Sequence, residues 1–205
     1  VLNVKIAVLG ASGRAGSEIS KEAAARGHVV TGIARNPEKI PAGDGITAVA
    51  GDASDTAALA KLVAGHDAVI SALHFDVSAG QILTALREAG VERLLVTGGA
   101  ASLKNAAGER LIDSPEFPAD WKPAAMGGIN FLTDLKPVTD VDWTFFSPAA
   151  FIFEGPRVGT FRTDTDNLIT DDEGNSKISF ADYAIAMVDE LEQHNHSRAR
   201  FTAAY

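Results

Sequence analysis

Val4–Leu9 is an almost continuous apolar run, the pattern of a strand covered on both faces. After the glycine-rich stretch 10–16, Ala15, Ile19 and Ala23 recur at helical spacing, and Gly27 marks the stop. His28–Ala34 and Ile46–Ala50 read as the second and third strands. Asp55–Ala64 reads as a helix with Leu59, Leu62 and Val63 on one face, closed by Gly65. Asp67–Leu73 is the next apolar strand, and Ile82, Leu83, Leu86 and Ala89 mark a helix ended by Gly90. Val91–Thr97 then runs into Gly98 and Gly99. Parallel neighbours need crossover helices, so this rhythm predicts an α/β fold: a doubly wound parallel sheet with helices on both faces.

The second half is less regular. Ala101–Asp120 reads as a long connection broken by Pro115 and Pro118. Trp121–Leu135 has helical character, although Gly127 and Gly128 inside it each cost about 1 kcal/mol relative to alanine. Val141–Ser147 is a further strand, and the polar, glycine-containing Gly155–Lys177 suggests a small β excursion. Ser179 followed by Asp182 has the spacing of a capping box, and the helix behind it carries Ala184, Met187, Val188 and Leu191 on one face. Arg200–Ala204 fits a final strand. With no repeat or linker, residues 1–205 are expected to form one domain.

Composition narrows the partners. The net charge of −9 and the lack of a basic block argue against nucleic acid. No apolar run reaches the roughly 18 residues that span a bilayer, and no basic-then-apolar leader opens the chain. The absence of cysteine excludes disulfides, thiol catalysis and thiolate metal sites, so no metal is expected. These features lead to the expectation of a cytoplasmic protein.

The candidate chemistry begins at Gly10-Ala11-Ser12-Gly13-Arg14-Ala15-Gly16, between the first strand and the first helix. A strand, a tight glycine turn and a helix N-terminus together present backbone N–H groups to a pyrophosphate, the arrangement of a Rossmann-type dinucleotide site. The end of the second strand carries Arg35 and no carboxylate, which favours NADP(H) over NAD(H), with Arg14 as a second cation for the 2′-phosphate. Asp52, beside Ala53, could accept from the adenine amino group, while Ser54 or Asp55 would cap the next helix. Ser71, Ala72 and Leu73 end the fourth strand, and their small size lets the middle of a cofactor lie close. His74 follows, with either a structural or an acid–base role. Thr97 and Gly98 end the fifth strand and Pro148 and Ala149 follow the sixth, where a nicotinamide would be flanked. Ser102 and Lys122 are the candidates for orienting a substrate. On this reading, residues up to about 150 form the cofactor core, 151–178 a small C-terminal substrate lid, and 179–205 the closing helix and strand.

The chain resembles the atypical short-chain dehydrogenase/reductase group of NAD(P)H-binding proteins, which includes NmrA-like proteins and biliverdin reductase B, a flavin reductase. The resemblance covers nearly the whole chain. It is carried by the glycine turn, Ala34–Pro37, Gly51-Asp52, Leu95–Leu103, Asp142–Pro148 and Ile178–Tyr183. It looks closest to a compact bacterial subgroup of oxidoreductase- or epimerase-like proteins. The resemblance implies a nicotinamide cofactor bound by the turn. It would also imply a Tyr-x-x-x-Lys pair for proton transfer, but neither Tyr183 nor Tyr205 has that lysine. Ala149 stands where the biliverdin and flavin reductases carry a histidine.

Three functions follow. The first is an NADPH-dependent reductase acting on a flavin, quinone or similar conjugated acceptor, which needs no dedicated protein acid. The second is a non-catalytic NADP(H) sensor of the NmrA-like kind that binds a protein partner. The third, a sugar epimerase or dehydratase, needs a base the sequence does not offer. An exposed apolar helix face could also support a homodimer.

Overall fold

The computed structural model describes residues 3–205. Strand β1 (Lys5–Leu9) leads to helix α1 (Arg14–Ala25), β2 (Val29–Ala34), β3 (Ile46–Ala50), α2 (Thr56–Val63) and β4 (Ala68–Ser71). Helix α3 (Ala79–Ala89), β5 (Arg93–Thr97), α4 (Lys122–Leu135) and β6 (Asp142–Ser147) follow. The chain closes with β7 (Phe151–Phe153), β8 (Arg162–Asp164), β9 (Lys177–Ser179), α5 (Phe180–Gln193) and β10 (Ala199–Ala204). The main sheet runs β3-β2-β1-β4-β5-β6-β10-β8, parallel except for β8, which pairs antiparallel with β10.

Alternation along β1 shows why both faces are covered. Ile6 and Val8 pack with Ile19 and Ala23 of α1 and with the apolar face of α5. Ala7 and Leu9 pack on the other side with Leu59, Ile82 and Phe131 of α2, α3 and α4. All four β1 residues are fully buried. Burying a side chain the size of Ile6 contributes about 1.5–3 kcal/mol, and a strand apolar on both faces does this twice per dipeptide.

Boundaries follow local chemistry. Asp55 caps α2 by accepting from the Ala58 N–H at 3.2 Å, and Ser78 with Gln81 closes a full capping box on α3. The box expected at Ser179 forms in one direction only. The Ser179 hydroxyl accepts from the Asp182 N–H, but the buried Asp182 carboxylate accepts instead from Val158 N–H, Gly159 N–H and the Tyr205 hydroxyl. This ties the 155–159 loop and the C-terminus to α5. Of the polar 151–178 stretch, β8 extends the main sheet, while β7 and β9 pair with each other in parallel.

Helices α1 and α5 are cross-linked by Arg26, which donates to Glu22, Asp189, Glu192 and the Ile185 carbonyl at 2.8–3.3 Å. Burial would raise the Glu22 pKa, but hydrogen bonds from Arg26 and Arg157 more than reverse it and hold that carboxyl below its usual value of 4.5. Arg26→Ala would remove the cation shared by three carboxylates, leaving Glu22 to Arg157, Glu192 to His28, and Asp189 without a partner among the described residues. It should destabilise the protein by about 2 kcal/mol and lower Tm by roughly 4–8 °C. A depressed carboxylate pKa stabilises above its unfolded value, and that contribution disappears as pH falls through the folded value. The gap between the parent and Arg26→Ala should therefore be widest at neutral pH and narrow below about 4.5, which thermal melts across pH will show.

Candidate functional site

The C-terminal edge of the parallel strands carries two adjoining depressions. The first is a cleft of about 300 Å³ over β1, β2, β3 and β4. It brings together Gly10, Ser12, Gly13, Arg35, Asp52, Ala53, Ala72 and Leu73, eight of the residues assigned to the cofactor from the sequence, together with His74, the candidate acid–base group. Arg14, Ala15, Gly16, Ser71, Thr97, Gly98, Pro148 and Ala149 do not line it.

The three glycines of the turn have three different reasons. Gly10 has φ +73°, and a Cβ there would stand 2.6 Å from the Ala72 carbonyl oxygen. At Gly16 a Cβ would lie 2.1 Å from the Gly10 oxygen, so this glycine lets α1 pack against the turn. A Cβ on Gly13 would meet nothing closer than the Gly10 oxygen at 3.4 Å, an ordinary contact. Packing within the chain therefore does not require glycine at 13, and its exposed backbone is open to the close approach of a ligand. Gly13 is also the N-cap of α1, and among the described residues no side chain caps that terminus. Its first-turn N–H groups and the positive end of the helix dipole suit an anion. These features fit a dinucleotide pyrophosphate.

Arg35 is exposed at the cleft rim, with no ion pair among the described residues. Arg14 is exposed as well and lies 3.8 Å from Glu154. The Asp52 Oδ1 accepts from both the hydroxyl and the N–H of Ser54, at 2.7 and 3.0 Å. These bonds, with a smaller contribution from the nearby Arg35, hold its carboxyl below the usual range. Capping of α2 falls to Asp55, which leaves Asp52 Oδ2 free for a ligand.

The second depression is an apolar chamber of about 400 Å³ beyond the ends of β5 and β6. Its walls include Phe75, Leu111, Phe117, Trp121 and Gly128, with Gly99–Ala101 and Ala150 at its base. Phe75 joins the two depressions, since its neighbours His74 and Asp76 line the cleft. The wall comes chiefly from the β5–α4 connection rather than from 151–178. Phe75 also explains the paired glycines of α4. A Cβ would stand 3.2 Å from Phe75 at Gly127 and 3.0 Å at Gly128, so the helix gives up side chains to seat that ring. Phe75 packs further on Phe131 and Phe145, at centroid distances of 5.5 and 6.3 Å.

Gly98 serves packing, for a Cβ there would lie 2.3 Å from the Phe145 ring. Neither candidate for orienting substrate lines the chamber. The Ser102 hydroxyl accepts from Arg200 at 2.9 Å, and Arg200 also holds Asp166 at 3.0 Å. Lys122 is exposed at the head of α4. Tyr183 is buried, its hydroxyl donates to the Phe146 carbonyl at 2.6 Å, and burial pushes its pKa far up. It holds the core. Sequence reasoning missed Phe75, Phe117 and Glu116. For Phe117 and Glu116 the available signal was the aromatic content of a proline-broken loop from Ser114 to Trp121, which says nothing of Phe75. No cluster of metal-ligating side chains occurs among the described residues. No helix among them is long and apolar enough to cross a membrane.

This fold and cleft define a nicotinamide-dinucleotide-binding protein of the Rossmann type. The model of the NAD(P)H-binding family matches residues 10–194, and the chain belongs to that family. YwnB of Bacillus subtilis is 42% identical over 210 residues, covering 97% of both chains. A provisionally named epimerase from Bacteroides thetaiotaomicron is 41% identical at TM-score 0.92, with 100% of this chain and 98% of that one covered. A provisionally named NADH-flavin reductase from Streptococcus pneumoniae is 35% identical at TM-score 0.85, with 98% and 99% covered. The family match and the Streptococcus pneumoniae relative support an oxidoreductase.

Proposed function

We propose that the protein is an NADPH-dependent reductase that passes a hydride to a flat conjugated acceptor such as a flavin or quinone. The observation that carries this reading is the aromatic-walled chamber beside the dinucleotide cleft, which offers hydrophobic faces and almost no acid–base chemistry. Bound NADPH supplies the hydride. The backbone of Gly10, Ser12 and Gly13 holds the pyrophosphate, Asp52 takes the adenine amino group, and Arg35 pairs with the 2′-phosphate. The chamber orients the acceptor against Phe75 and Trp121 and excludes water from the transfer path. A conjugated acceptor delocalises the incoming charge, so water can provide the proton and no Tyr/Lys pair is needed. Transient oxidation of a sugar alcohol would need such a base, and Tyr183 is locked onto a carbonyl. The name of the Streptococcus pneumoniae relative points the same way.

The test is the rate of NADPH oxidation across a panel of flavins and quinones. At least one acceptor should accelerate it well above the rate without protein. If NADPH binds but no acceptor is reduced, the reductase reading fails and a non-catalytic NADP(H) sensor that binds a protein partner takes its place.

A further inference from the structure

We propose that the chamber selects uncharged ring systems and rejects anionic ones, through the carboxylate of Glu116 held at its rim by Ser114. This rests on reading the chamber as the acceptor site. Among the described residues that line it there is no lysine, arginine or histidine, and Glu116 is the one ionisable group. Ser114 is buried, and its hydroxyl donates to the Glu116 Oε2 at 2.5 Å. The Glu116 N–H returns to the Ser114 oxygen at 3.4 Å. With Pro115 between the two residues, the turn fixes where the negative charge stands.

Neither of the nearest cations in the sequence, Arg110 and Lys122, forms an ion pair with it among the described residues. Arg110 is paired with Asp113 at 2.7 Å. Lys122 does not line the chamber, and its field acts on Asp113, helping to keep that carboxyl below its usual range after the larger effect of Arg110. A phosphate or sulfonate on the acceptor would face a like charge at the rim and no counterion within. The neighbouring cleft differs in that it offers Arg35 and an open helix N-terminus for phosphates, beside the carboxylates of Asp52 and Asp76. The two depressions thus divide one ligand pair by charge: anionic groups on the cofactor side, uncharged faces on the acceptor side.

The experiment compares acceptors that differ by one charged group: riboflavin against its 5′-phosphate, and 1,2-naphthoquinone against its 4-sulfonate. Kd is measured by calorimetry on the NADP⁺-loaded protein, and turnover by NADPH oxidation. The uncharged member should bind at least about tenfold more tightly, as expected for like charges a few ångströms apart at a partly hydrated rim. Glu116→Gln, isosteric and exposed, should narrow that gap to about twofold, and Ser114→Ala should narrow it part of the way. Equal affinities, a gap that survives Glu116→Gln, or no binding of either pair would overturn the proposal. Selective binding without turnover would instead overturn the reductase reading and leave the charge selection standing.

Discussion

Gly16→Ala is expected to damage both stability and cofactor binding, whereas Gly13→Ala should damage mainly the second. The methyl group at 16 would sit 2.1 Å from the Gly10 oxygen, 2.9 Å from its carbonyl carbon and 3.0 Å from the Ala11 Cα. All three are backbone atoms of the turn, so no side chain can swing aside and the turn or the helix must move. Forcing that shift should cost about 3 kcal/mol or more, near the upper end of overpacking effects. For a domain of this size that corresponds to a Tm lower by roughly 6–12 °C. Alanine at 13 meets no such obstacle, and the backbone there, at φ −78°, accepts it. Losing a glycine N-cap for alanine should cost about 1 kcal/mol at most. The added methyl group would nevertheless stand where the pyrophosphate approaches the backbone, and NADPH affinity should fall more than tenfold. Thermal melts and NADPH titrations on both variants separate the two roles. A Gly13→Ala protein that binds NADPH like the parent would show that this turn does not cradle a pyrophosphate.

Arg35→Ala should weaken NADPH by about ten- to thirtyfold and leave NADH within about twofold, which would erase the proposed preference for the phosphorylated cofactor. The estimate follows from losing one charge-assisted hydrogen-bonding partner, worth about 1.5–2 kcal/mol. Arg35 is free to make that interaction, because no ion pair among the described residues engages it. Arg14 must first leave Glu154 and is expected to contribute less. Arg35→Glu should go further and favour NADH, since a carboxylate there would repel the 2′-phosphate and could accept from a ribose hydroxyl. Parallel titrations with both cofactors at two salt concentrations give the answer. Equal weakening of NADPH and NADH would remove Arg35 from the role of reading the 2′-phosphate.

How far the chain could be read in advance varied along its length. Ile46–Ala50 occupies the residues its pattern implied, and β1, β2 and β5 differ only at their ends. Strands covered on both faces leave continuous apolar runs, and tertiary context has little room to override them. β4 is shorter than its run: Ala72 still donates its N–H to the Leu9 carbonyl at 2.9 Å, but it and Leu73 lie beyond the strand and line the cleft. The glycine pair of α4 looked like a weakness in a helix. Its cause is Phe75, far upstream on another segment, and no local pattern records it. Ser102 looked free for a substrate because Arg200, 98 residues away, is the partner that takes its hydroxyl.

The sequence by itself determined the order of strands and helices through β6 and of α5 and β10, the position of the glycine turn and the lack of the tyrosine–lysine pair. Each of these is written in neighbouring residues, as a hydrophobic period, a glycine spacing or a missing side chain. Only the tertiary structure decided what lines the apolar chamber. Phe75, Glu116, Trp121, Gly128 and Ala150 come from separate segments, most of them loops without a hydrophobic period. Periodicity shows which residues turn towards a core, and the chamber exists because folding brings the ends of several strands to one edge.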